Sequence, residues 1–193
     1  FLYIIYCMNN NLKKVGDKIL YEEGLLDILK KLGKVQIVGS YDLDLLFKPD
    51  IDISICVEEY DLKKYFSVCV EIADRIKPIR IKYIDQSVAK FDAFPFSTGY
   101  FLGMDIKREN IKWSIDGWVF TPDIYEERIA YHDSIKERIN ESNREILVNI
   151  KSSIYENPNY RSVDLYQSVL FDGITSLQGY KEWYKKKYSL DFT

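Results

Sequence analysis

Apolar residues recur at spacings of three and four through residues 12–32, at Leu12, Val15, Ile19, Leu25, Leu26, Leu29 and Leu32. That period predicts one amphipathic helix, and Gly33 supplies a left-handed end for it. The pattern then changes. Residues 35–38 form a short apolar run that reads as a buried strand closed by Gly39-Ser40. A short helix is expected over residues 41–47, with Leu43, Leu46 and Phe47 inward and Pro49 as its stop. Over residues 50–57 the order is strictly alternating: Ile51, Ile53 and Ile55 lie between Asp50, Asp52 and Ser54. This predicts a strand with one apolar face.

Helix periodicity returns over residues 61–76, through Leu62, Tyr65, Phe66, Val68, Cys69 and Ile72, and Pro78 closes it. Residues 79–84 alternate Ile79, Ile81 and Tyr83 with Arg80 and Lys82, a half-buried strand. Residues 86–97 have no period and contain Pro95, so they read as a connecting loop ending near a strand. Residues 100–106 and 111–120 are strand-like, joined by a polar hairpin turn at residues 107–110. Thr121-Pro122-Asp123 is a helix start. Helices are expected over residues 122–139, 141–156, 163–172 and 176–188, with Ser162 as one cap and Thr175 with Gln178 as a capping box. The order predicts an α+β chain: a small mixed sheet flanked by helices, then an α-helical C-terminal region. The expected domains are residues 8–120 and 121–193.

Composition narrows the class. The 193 residues are 47% apolar, enough for a sizeable core. Charged residues make up 30%, mixed in sign, for a net charge of −3. This disfavours a general nucleic-acid coat, which needs a basic domain, but leaves a local basic groove open. Cys7, Cys56 and Cys69 match no zinc spacing and read as reduced thiols of a cytoplasmic protein. No run is long enough for a membrane span. Met8 before an Asn run reads as a natural start, with residues 1–7 either an upstream addition or a short docked strand.

The chemistry centres on Asp50 and Asp52. Two residues apart on a strand, they share a face about 7 Å apart along the chain. Paired carboxylates repel, and a cation between them relieves the repulsion. Hard oxygen donors suit Mg2+ or Mn2+. Such pairs are more often solvated turn edges, but here apolar strands flank this one. A third acid, Asp116, stands in the otherwise uncharged run Trp113-Ser114-Ile115-Asp116-Gly117-Trp118, sharing a face with Lys112, Ser114 and Trp118. An Asp in mid-strand breaks strand propensity and marks a candidate site; a water-facing Asp or a pair with Lys112 is the plain alternative. His132, the only histidine, reads as structural. No Gly-x-Ser-x-Gly, Gly-x-Gly-x-x-Gly or P-loop occurs. Lys181, Lys185, Lys186 and Lys187 read as a solvated final helix rather than an RNA contact.

Gly39-Ser40, a nine-residue gap, Asp50-Ile51-Asp52-Ile53 and the later Asp116 resemble the nucleotidyltransferase-fold superfamily, the DNA polymerase β-like group. The spellings GSYDLDLLFKPDIDI and WSIDGW are similar to small bacterial nucleotidyltransferase-domain proteins of uncertain substrate. The resemblance implies metal-dependent transfer of a nucleoside monophosphate from an NTP to a hydroxyl of a small-molecule acceptor, with release of pyrophosphate. Asp50 and Asp52 would bridge two Mg2+ or Mn2+ ions, and Asp116 would complete the second site and orient or deprotonate the acceptor. Gly39 and Ser40 would grip phosphate. Lys48 and Lys112 are further candidates, with Arg80, Lys82 and Arg108 as weaker ones. Asp42 and Asp44 depart from the pattern, since negative charge near a triphosphate must face away; both are expected to face solvent. The competing readings are a toxin-like enzyme acting on RNA or protein, and a nucleotide-binding module without activity.

Overall fold

A computed structural model describes residues 2–89 and 98–192, with side chains from residue 10 onward. The chain divides into two compact units, residues 1–130 and 131–193.

The first unit opens with α1 (Leu2–Asp17), which continues as a π-helical turn (Lys18–Glu22). The single helix expected over residues 12–32 is therefore broken. Gly24 takes φ 81° and starts α2 (Leu25–Leu29) at a new angle, a conformation that favours glycine. The three-and-four spacing survives the break because both pieces bury the same side: Ile19, Leu20, Leu25, Ile28 and Leu29 are fully buried. Residues 2–7 are helical rather than a docked strand.

The sheet follows. β1 (Lys34–Val38) leads into the one-turn helix α3 (Gly39–Asp42), then β2 (Asp50–Cys56), α4 (Leu62–Arg75), β3 (Arg80–Asp85), the helical turn α5 (Gln86–Ala89), β4 (Tyr100–Arg108) and β5 (Ile111–Phe120). The spatial order is β1-β2-β5-β4-β3. β2 and β5 pair in parallel, and the other pairs are antiparallel. The sheet is mixed, as the pattern predicts. The loop expected over residues 86–97 begins with α5, and residues 90–97 of it lie outside the described residues. The hairpin turn is tighter than expected: Glu109 and Asn110, both at positive φ, make it alone, the twist that suits a two-residue hairpin.

Alternation decides which face of the sheet is covered. Ile51, Ile53 and Ile55 of β2 and Ile115 of β5 are fully buried, against Tyr65, Val68, Cys69 and Ile72 of α4 and the leucines of α2. Each such side chain contributes roughly 1.5–3 kcal/mol. The Asp61 carboxylate caps α4, accepting from the amides of Lys63 at 2.9 Å and Lys64 at 3.1 Å. The other face carries the alternate residues. Its apolar part is a cluster of Phe101, Trp118, Phe120 and Tyr125, the last from α6 (Pro122–Arg138).

In the second unit α7 (Glu141–Ile154), α8 (Ser162–Tyr166), a π-helical turn (Gln167–Phe171) and α9 (Leu177–Tyr188) bury Leu147, Ile150, Ile154, Leu165, Val169, Tyr180 and Tyr184. Two expected caps are displaced. Ser176, not Thr175, caps α9 through Gly179 N at 3.1 Å, and Arg161 precedes α8 with Ser162 already helical. The capping box belongs to α7, between Asn140 and Asn143. Among the described residues, no helix is long and apolar enough to cross a membrane.

Candidate active site

The parallel register of β2 and β5 sets Asp50 opposite Ser114 and Asp52 opposite Asp116. Neighbouring strands lie about 4.8 Å apart, so Asp52 and Asp116 are direct neighbours and Asp50 is one step along the same face. The antiparallel register extends these rows. Gly103 and Lys82 continue the row of Asp116, and Asp105 and Arg80 continue the row of Ser114. All of these positions share parity with Asp52 and lie opposite the isoleucine core.

β1 closes the other side. Val38 pairs with Asp52, and the next residue, Gly39, turns the chain at φ 69°. A Cβ on Gly39 would collide with Asp52 Oδ2 and come within 3.1 Å of its Cβ and Cγ. Glycine is thus required twice, by conformation and by contact with the acid. The helix expected over residues 41–47 starts earlier, at Gly39, and stops at Asp42, with Asp44 at positive φ. Tyr41 anchors it: its hydroxyl donates to Asp17 Oδ1 at 2.7 Å and Lys13 O at 3.1 Å. Ser40, beside it, is half-buried. Asp44 is exposed and ion-paired to Lys13. Asp42, expected in solvent, is half-buried at the end of the one-turn helix.

The acids differ in surroundings. Burial pushes the Asp116 carboxyl above the usual carboxylate range; the Ser114 hydroxyl, donating at 3.3 Å, and the charge of Lys82 oppose the shift, and the negative charge of Asp105 adds to it. Gly103 has no side chain and stands between Lys82 and Asp116. Asp105 behaves in the opposite way. Burial alone would raise it, but the hydrogen bond from Lys112 and the charges of Arg80, Lys112 and Lys82 hold it below the usual range. Its ion pairs measure 2.6 Å to Arg80 and 3.1 Å to Lys112. Lys112 therefore pairs with Asp105, not Asp116. Arg108 is drawn to Glu23 at 2.6 Å, and Lys48 is exposed.

Three residues of this face were not singled out from sequence. Asp105 carried a signal, a lone acid in the apolar run of β4. Ser54, fully buried two residues beyond Asp52, is indistinguishable in sequence from any strand serine. Arg128 of α6 had no signal. Its guanidinium lies 4.9 Å from the centre of the Phe120 ring and 5.9 Å from that of Trp118. Burial lowers its pKa, and the charge of Asp52 opposes that shift.

The donor chemistry of Asp50, Asp52 and Asp116 suits a hard divalent cation. As placed, no group of three carboxylate, histidine or cysteine side chains among the described residues converges closely enough to hold one. The register sets the backbones of Asp52 and Asp116 side by side. A cavity of about 600 Å³, lined by residues including Lys34, Cys56, Glu58, Tyr60 and Tyr125, lies at the opposite end of β2 from the acids. His132 is buried in the second unit. There Lys187 pairs with Asp164 and Lys185 with Asp191.

No family model matches the chain, and no curated protein is found similar to it. Among solved structures, the GLD-2/RNP-8 complex superposes at TM-score 0.52 and 9% identity, covering 100% of this chain and 71% of the other. The non-canonical poly(A) polymerase complex GLD-2–GLD-3 gives a TM-score of 0.48 at 11% identity, covering 98% and 65%. The likeness is one of fold. With the first of these the chain shares an α+β architecture, a mixed five-stranded sheet with flanking helices.

Proposed function

We propose that the face carrying Asp50, Asp52 and Asp116 is a nucleotidyl-transfer site, residues 8–120 being the catalytic domain and 121–193 a helical region. The observation that carries this reading is the pairing of Asp52 with Asp116 in the parallel β2–β5 register, with Gly39 against the Asp52 carboxylate. The fold supports it. Asp50, Asp52 and Asp116 are the residues that would hold Mg2+ or Mn2+, which would supply positive charge for the triphosphate and the developing oxyanions.

The chain's own groups supply the rest. Gly39 lets a phosphate approach the backbone, and the Ser40 hydroxyl donates to it. Lys48 and Lys112 add positive charge, Lys112 only when it leaves Asp105. The acceptor hydroxyl attacks the α-phosphorus in line, the bond to the bridging oxygen breaks, and pyrophosphate leaves. Asp116 takes the hydroxyl proton as general base.

The acceptor is proposed to be a small molecule bearing a hydroxyl, since the net charge of −3 gives little attraction for RNA. Incubation with α-labelled nucleoside triphosphates, Mg2+ or Mn2+ and cell extract tests both parts. Label should enter a low-mass product and disappear with Asp52→Ala. Nuclease-sensitive label would move the acceptor to RNA, and protease-sensitive label to protein. No transfer with any nucleotide, from a folded protein, would overturn the reading.

A further inference from the structure

We infer that Arg128 is a positioning residue of this site, a resident counter-ion of Asp52 that gives way to a divalent cation and then serves the nucleotide phosphates. The inference rests on the nucleotidyl-transfer reading and names a residue that reading did not contain.

Three observations carry it. First, α6 brings Arg128 onto the acid-bearing face. Its guanidinium is stacked on Phe120 and Trp118 at 4.9 and 5.9 Å. Trp118 is two residues from Asp116 on the same strand and pairs with Ser54, itself two residues from Asp52. The rings therefore fix the cation one to two steps along the face from the acid pair. Second, Arg128 belongs to the compact unit that contains the sheet, so the same unit supplies both charges. Third, the guanidinium is largely withdrawn from water, and Asp52 is the charge that acts on it. A buried cation is costly without a nearby anion. Two aromatic faces and one carboxylate offset that cost here.

The planar fork of Arg suits both tasks. It matches a carboxylate and a phosphate equally well. A guanidinium held over a ring by its face can still use its N–H groups in the plane. A divalent ion arriving at Asp52 competes with Arg128 for the same oxygens. Once displaced from the carboxylate, the cation remains on the face where a triphosphate would lie.

The consequence is a pair of effects of opposite sign. Arg128→Met keeps a long apolar side chain against Phe120 and Trp118 but removes the charge. Calorimetric titration of Mn2+ alone should show binding about tenfold tighter than in the wild type, because a competing cation is gone. Titration of a non-hydrolysable NTP in saturating Mn2+ should show binding about tenfold weaker. Arg128→Lys should fall between the two on both readouts. A residue that merely packs would loosen both ligands together or leave both unchanged, and either result overturns the inference. Asp52→Asn separates the two levels. If Mn2+ and NTP binding in the wild type does not depend on Asp52, the nucleotidyl-transfer reading fails. If it depends on Asp52 but is indifferent to Arg128→Met, only the role of Arg128 fails.

Discussion

Asp116 and Asp164 are both withdrawn from water, one in each unit, and they are treated in opposite ways. Asp164, at 1% exposure, accepts from Lys187 Nζ at 2.9 Å and Tyr188 Oη at 2.8 Å, with Arg161 Nε 3.8 Å away. Lys187 and Tyr188 come from the helix across from it and tie α9 to α8. In return Lys187 stays charged: burial would lower its pKa, but Asp164 holds it above the usual range. Asp116 accepts a long hydrogen bond from a neutral hydroxyl and sits beside another acid in register. Its carboxylate is held at a cost. A buried acid with matched cations is a fastening. One placed beside its own kind, with a glycine turn pressed against the pair, fits the proposed metal site.

Substitutions can break this contrast. The largest effect is expected from Asp52→Ala. Transfer should fall by about 10³-fold or more, since a lost metal contact removes several kcal/mol of transition-state stabilisation. Next is Asp164→Ala. It should cost about 3 kcal/mol by denaturant titration, because Lys187 and Tyr188 lose their buried acceptor. If Asp164→Ala were neutral in stability, the fastening reading would be wrong. Gly39→Ala should cost about 2 kcal/mol from the strained backbone and should also lower transfer, because the new methyl displaces Asp52.

The pH dependence of Asp116 is subtler. Its folded pKa lies above the unfolded value, so the folded protein binds the proton more tightly. The stability this brings is present below the unfolded pKa and is lost as pH rises through the folded one. Without divalent ions, denaturant midpoints across pH 3–7 should therefore fall relative to Asp116→Asn as pH rises. A difference of the opposite sign would show that Asp116 is well satisfied as it stands. Lys112→Met is expected to be the smallest change. That side chain is 61% exposed in its pair with Asp105, and its removal should cost under about 1 kcal/mol.

Much of this contrast was legible in the chain itself, and the parts that were not share a cause. Asp50, Asp52 and Asp116 stand out because strand alternation is a local property. Their register is not local, yet the Gly39 turn and the β4–β5 hairpin leave few ways to pair the strands. The break at Gly24 was hidden because both helical pieces bury the same leucines. The helix near Ser40 was misplaced because Leu43 and Leu46 are apolar for reasons of turn packing, not helical period. Arg128 could not be read at all. Its meaning depends on how α6 returns across Phe120 and Trp118, and no spacing within α6 encodes that. Asp164 carries no signal in the sequence for the same reason, since its partners are 23 and 24 residues away.

The most direct test of the central claim is ligand-induced stabilisation, with Mg2+ and a non-hydrolysable NTP added together. A ligand that binds only the folded state at 100 times its Kd contributes about 2.7 kcal/mol. The wild type and Asp164→Asn should both gain several degrees in thermal midpoint, and Asp52→Asn and Asp116→Asn should gain none. An equal gain in Asp52→Asn, or no gain in the folded wild type, would contradict the account.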